Sequence, residues 1–113
     1  MKDCLFCRIA KGEIPTIFLY EDDELMAFRD IDPQAPLHLL VVPKAHIASA
    51  AQLTEDEGAM LGRAYALAAR LVAQAGYTNG YRVVTNIGEE GGQSVPHLHF
   101  HVLAGRNFGW PPG

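Results

Sequence analysis

Basic charge is scarce in this chain. Lys and Arg number 9 against 13 Asp and Glu over 113 residues, a net charge of −4 with histidine neutral. A sequence-independent nucleic-acid binder needs a basic face to neutralise phosphates, so that class is set aside. Long apolar runs are missing too. None approaches the roughly 20 residues that span a bilayer, and Met1-Lys2-Asp3-Cys4 opens without the apolar core of a secretory leader. A cytoplasmic protein with no membrane partner is the expectation. Cysteine is rare, at 2 residues. In a reducing compartment such a pair points to metal or redox chemistry before a structural disulfide. No carboxylate cluster of the kind that holds magnesium is evident, so no catalytic metal is expected. Repeats, linkers and low-complexity segments are absent as well.

What is present reads as one globular domain over residues 1–113, with 49% hydrophobic residues. Cys4-Leu5-Phe6-Cys7 has three readings: a redox dithiol, two ordinary buried thiols, or half of a zinc site that needs two more ligands. Ile17 to Tyr20 and Leu25 to Arg29 read as a β-hairpin around Glu21-Asp22-Asp23. Two prolines make Asp30 to Pro36 a loop. Asp30 there either accepts ribose hydroxyls or bonds its own turn. Leu37 to Val42, apolar except at His38, reads as a central strand covered on both faces. Lys44-Ala45-His46 begins a short helical or loop segment.

The long helix starts at Thr54-Glu55-Asp56-Glu57, a capping-box pattern with acidic residues at the positive end of the dipole. Its buried stripe comprises Met60, Leu61, Ala64, Leu67, Ala68, Leu71, Val72 and Ala75, and Gly76 stops it. Tyr81 to Asn86 reads as a strand that leads to the loop Gly91-Gly92-Gln93-Ser94. The next strand, His97-Leu98-His99-Phe100-His101-Val102-Leu103, alternates histidine with apolar residues. Alternation sends Leu98, Phe100 and Val102 to a core and the three histidines to one opposite surface. Imidazoles beside a glycine loop rich in N–H groups suit an anionic ligand such as phosphate. The fold class is α+β, a mostly antiparallel sheet with one long helix and a short one.

The alternating stretch resembles the His-φ-His-φ-His-φ-φ signature (φ apolar) of the histidine triad family of nucleotide hydrolases and transferases. Phe28-Arg29-Asp30-Ile31-Asp32-Pro33-Gln34-Ala35-Pro36 with His38, Val42-Pro43-Lys44, Gly91-Gly92-Gln93-Ser94 and Trp110-Pro111-Pro112-Gly113 look like its purine nucleoside phosphoramidase branch. The resemblance covers nearly the whole chain. It implies the histidine triad fold and a homodimer whose two sheets join, with the tail near the neighbouring subunit's site. It implies a purine nucleotide substrate, conjugates of AMP or GMP, cleaved through a nucleotidyl-histidine.

Residue by residue, the resemblance makes His99 the nucleophile and His101 a donor to a nonbridging oxygen. Asp30 binds ribose, Asn86 binds phosphate, and Gly92, Gln93 and Ser94 supply further donors, with Ser94 towards the leaving group. His38 orients the triad or relays a proton, and Phe6, Ile9, Phe28 and Ile31 wall the base. Some members carry a structural zinc held in part by the first triad histidine. With the other histidines engaged in catalysis, the ligand set here becomes Cys4, Cys7, His46 and His97. Many phosphoramidases lack the cysteines, and the chain departs from them there. Dinucleoside polyphosphate hydrolases and nucleotidyl transferases of the same family are the alternatives, although Ala104-Gly105-Arg106 replaces the Pro-Arg pair that tends to follow their triads. A nucleotide-sensing or zinc-stabilised interaction module with little turnover is the alternative from another class.

Overall fold

The computed structural model describes residues 3–113. Met1 and Lys2, the start of the stretch read above as leader-free, lie outside the described residues. Five strands form one antiparallel sheet in the order β1-β2-β3-β5-β4. They are β1 Phe18–Glu21, β2 Leu25–Arg29, β3 Leu37–Pro43, β4 Tyr81–Val84 and β5 Phe100–Ala104, with α1 Leu5–Ala10 and α2 Gly58–Gln74. No helix among the described residues is long and apolar enough to cross a membrane.

The hairpin forms where alternation and turn chemistry place it. Asp22 Oδ1 accepts the N–H groups of Glu24 and Leu25, both at 2.8 Å. The Tyr20 hydroxyl donates to Asp22 Oδ2 at 2.7 Å and is the largest cause holding that carboxyl below its usual range. β3 is buried over its whole length, as a centre strand with both faces covered must be. On one face Leu39 and Val41 join Leu98, Phe100, Val102 and the stripe of α2 in the main core. On the other, Leu40 and Val42 pack with Phe6, Ile9, Met26 and Phe28.

Four details differ from the sequence reading. Thr54 and Glu57 form the capping box on a 3-10 turn, Glu55–Glu57, and the α-helix proper begins only at Gly58. Ala75 lies exposed beyond the stripe, because the helix unwinds into Gly76, whose φ of +91° ends it. The short helix is α1 at the cysteine pair, and the segment after Pro43, read as helical or loop, takes the loop course to a 3-10 turn at Ala50–Gln52. Cys4 caps α1 by accepting the Cys7 N–H, and Phe6, Cys7 and Ile9 are buried against the sheet. Finally, the β5 ladder begins at Phe100 and not at His97. Pro96 offers no N–H, and the His97 and Leu98 N–H groups bond Val95 O and Ile47 O.

Leu67, 2% exposed, sits at the centre of the α2 contact with the sheet. Leu67→Ala should lower the unfolding free energy by about 2–5 kcal/mol through lost burial and the cavity left behind. Urea denaturation of the two proteins measures it.

Candidate active site

Strand alternation survives in the irregular stretch before β5, so His97, His99 and His101 share the face opposite the main core. The row is not open surface, however. α1 lies over it, leaving His97 0% and His99 4% exposed, while His101 is half-buried. Phe6 brings its ring edge against His99, with centroids 5.1 Å apart.

Backbone groups decide which nitrogen of each imidazole carries the proton. His99 Nδ1 lies 2.7 Å from His97 O, an acceptor only, so Nδ1 holds the proton and Nε2 keeps its lone pair. His38 Nδ1 accepts the Gln34 N–H at 3.0 Å, so its proton sits on Nε2 and is donated to His101 Nδ1 at 2.9 Å. His101 Nε2 then carries the remaining proton as a donor. Asp30 Oδ2 lies 3.4 Å from His38 Nε2 and 3.7 Å from His101 Nδ1. Its other oxygen accepts the Asp32 N–H at 2.8 Å. Asp30 therefore closes its own turn and also faces the histidines. Asp30, His38 and His101 converge closely enough to suit a metal, but the Gln34 donor keeps the shared His38 nitrogen protonated and makes this a hydrogen-bonded relay.

Beside the row lies a cavity of about 240 Å³ whose lining includes Leu5, Phe6, Asp30, Ile31, His99 and His101. Ser94 stands at its edge and also lines an adjoining hollow with Gly88, Glu89, Gly92, Gln93 and Pro96. Of the apolar positions read from the sequence, Phe6 and Ile31 line the cavity, whereas Ile9 and Phe28 are buried behind Phe6 and support it. Leu5, Leu40 and Val95 line it too. Leu40 was recoverable, since it shares the strand parity of His38. Asn86 follows β4, half-buried. Gln93 is spent on the loop: its amide donates to Ala48 O at 2.7 Å and Val95 O at 3.0 Å, and its carbonyl accepts the Gly88 N–H at 2.9 Å. The Gly92 and Gln93 N–H groups bond Glu89 O and Gly88 O. The two residues thus brace the loop that presents Ser94.

A second constellation lies at the other end of the row. One ligand atom from each of Cys4, Cys7, His46 and His97 falls within 4.8 Å of the others. Sγ of Cys4 lies 3.2 Å from His97 Nδ1, and Sγ of Cys7 lies 3.2 Å from His46 Nδ1 and 3.6 Å from His97 Nδ1. Tetrahedral zinc bonds imply sulfur-to-nitrogen separations of about 3.6 Å, so the donor set fits such an ion with little movement. His97 Nε2–H donates to Pro43 O at 2.8 Å, which leaves Nδ1 as a free ligand atom. Burial first, then the hydrogen bond and charge of Cys4, push the Cys7 thiol up. Cys7 resists becoming a thiolate unless a cation compensates.

Comparison with known proteins is decisive for the family. Residues 11–108 match the family model described as HIT domain. The chain belongs to the HIT family. An uncharacterised HIT-like protein of Synechococcus elongatus is 48% identical over 112 residues, covering 99% of this chain and 98% of that one. The crystal structure of a HIT family hydrolase from Legionella pneumophila superposes with a TM-score of 0.95 at 47% identity, covering 98% of this chain and all of that one. A HIT family hydrolase from Clostridium thermocellum gives 0.92 at 39%, covering 96% of each chain. The fold is that of HIT hydrolases.

Burial, then the charges of His99 and His38, push His101 below the ordinary histidine value, with Asp30 opposing. The folded state therefore takes up this proton less readily than the unfolded chain, whose histidines titrate near 6.5. The contribution to stability is whole above that pH and shrinks as pH falls through it. His101→Gln should narrow the stability difference between pH 7.5 and pH 5, as read by urea midpoints at the two pH values.

Proposed function

We propose that this HIT protein hydrolyses purine nucleoside 5′-phosphoramidates, AMP or GMP joined to an amine, through a nucleotidyl-histidine on His99. The observation that carries the reading is the His99 Nδ1 contact with His97 O at 2.7 Å, which leaves Nε2 of the neutral ring with its lone pair beside the cavity. A neutral imidazole held in one tautomer is an effective nucleophile. Attack of Nε2 on the α-phosphorus forms the N–P bond as the bond to the leaving nitrogen breaks. The departing nitrogen takes up a proton from water while Ser94 hydrogen-bonds it, and the water that later attacks the phosphorus returns that proton to solvent. Water then displaces His99 and releases the nucleoside monophosphate.

His101 Nε2–H donates to a nonbridging oxygen, with Asn86 as a further donor, and this is electrostatic stabilisation of the transition state. His38 holds His101 in the donating tautomer. Asp30 takes the ribose hydroxyls, and Phe6, Ile31 and Leu40, backed by Ile9 and Phe28, sandwich the base. Apolar walls grip a purine face while discriminating weakly between adenine and guanine. Gly92 and Gln93 shape the phosphate loop around Ser94.

Zinc belongs to this reading as a structural ion held by Cys4, Cys7, His46 and His97. It supplies a crosslink between α1 and the triad, and no step of the reaction passes through it. A homodimer belongs to it as well. β4 ends the sheet, so a second copy pairing there extends the sheet across both subunits and brings the exposed Trp110 towards the partner. A cytoplasmic location completes the reading.

Two experiments test these assignments. His99→Ala should lower turnover of adenosine 5′-phosphoramidates by several orders of magnitude and abolish an acid-labile nucleotidyl adduct detected by mass spectrometry, while AMP affinity stays within a few-fold. Near-normal turnover would remove the mechanism. Metal analysis of untagged protein purified without added zinc should find one zinc per chain. Cys4→Ser should lose it with a clear fall in Tm, whereas fully stable protein that takes up no zinc would remove the site.

A further inference from the structure

The segment after β5 is fastened by a feature that the chemistry above does not use. Phe108 lies between two guanidiniums, 4.2 Å from that of Arg106 and 5.2 Å from that of Arg82. Arg82 also donates to Gly109 O at 2.8 Å. Arg106 is held further by Asn107 O at 3.0 Å, which leaves its Nε–H aimed at Gln34 O, also at 3.0 Å. Gln34 is the residue whose N–H meets His38 Nδ1 at 3.0 Å. The two backbone groups of one residue therefore link an exposed arginine to the buried histidine relay.

The loop that carries Gln34 is closed at its base, where the Asp30 N–H bonds His38 O at 3.0 Å and Asp30 Oδ1 accepts the Asp32 N–H at 2.8 Å. Its prolines, Pro33 and Pro36, donate nothing, the Gln34 side-chain amide bonds within the loop to Asp32 O at 3.0 Å, and it is Arg106 that bonds the Gln34 carbonyl. On the far side the loop is crowded by the end of β5. Gly105 has φ +100°, and a Cβ there would come within 2.8 Å of the Pro36 ring. A conformation open to glycine and a close approach thus coincide at this position. Gly105 lets the chain press on Pro36, and Arg106, the next residue, takes hold of Gln34.

We infer that Arg106 is a positioning residue: it holds the Asp30–Pro36 loop so that the Gln34 N–H keeps His38 Nδ1 unprotonated and its Nε2 proton directed at His101. The peptide N–H cannot be substituted, so the arginine is the handle on it. Without Arg106 the loop relaxes, the Gln34 bond to Nδ1 lengthens, and His38 exchanges between tautomers. His101 then spends part of its time without a donor on Nδ1, and its own Nε2–H is no longer fixed towards the phosphate. The defect falls on the transition state, where that donor acts, and spares nucleotide binding. The catalytic consequence rests on the phosphoramidase reading; the tautomer consequence does not.

The test compares Arg106→Met with Arg82→Met. The latter loosens the tail at Phe108 and Gly109 but leaves Gln34 untouched. In nucleotide-free protein, ¹⁵N–¹H correlation of the histidine rings should show His38 as a single Nε2–H tautomer in the wild type and in Arg82→Met, and as an averaged mixture in Arg106→Met. With adenosine 5′-phosphoramidate as substrate, Arg106→Met should lose about three- to tenfold in kcat with KM within about twofold. An unchanged His38 pattern in Arg106→Met overturns the inference, as does an equal change in Arg82→Met. The ring spectra decide the matter even if the chain turns over no phosphoramidate, so a failure of the proposed reaction is distinguishable from a failure of this one.

Discussion

One short hydrogen bond, from His99 Nδ1 to the carbonyl of His97, carries the rest of the site. A histidine in water exchanges between tautomers freely. In a site where α1 leaves it 4% exposed, a backbone carbonyl two residues away decides the question. The same device recurs along the row. Pro43 O fixes His97, and the Gln34 N–H fixes His38 and through it His101. Backbone groups cannot change protonation state, so His97, His99 and His38 are each set by something that does not titrate, and His101 is set by His38. No buried side-chain nitrogen or oxygen among the described residues lacks a partner, so the network is closed.

The departure from regular strand geometry before β5 serves this arrangement. The ladder with β4 ends at the Val84–His101 pair, so no strand competes for the His97 carbonyl, which accepts the imidazole N–H of His99. The His99 carbonyl is taken by the Thr85 hydroxyl at 2.8 Å rather than by a strand N–H. β3 then contributes from both ends, His38 near its start and the Pro43 carbonyl at its finish, and so spans the row from relay to cysteine cluster.

Much of this was legible in the sequence because it rests on periodicity. The hairpin, the stripe of α2, the doubly covered β3 and the alternating parity of the triad are all short-range patterns. Cys4, Cys7, His46 and His97 meet as the residue types and the family resemblance led one to expect. Features that depend on distant partners were not legible. α1 has too few residues to display a period, and it forms because Phe6, Cys7 and Ile9 find a ready apolar face. The partner of the His97 ring lies 54 residues away, at Pro43. Gln93 looked like a ligand-facing amide, and only the positions of Ala48, Val95 and Gly88 reveal that it is an internal brace.

A helix of six residues such as α1 is far below the length at which a helix holds itself together in water. It exists by docking on Met26, Phe28, Leu40 and Val42 of β2 and β3. The roof over His99 accordingly depends for its order on the sheet beneath it. The dryness of His99 is then a property of a docked segment, in a cluster apart from the main core.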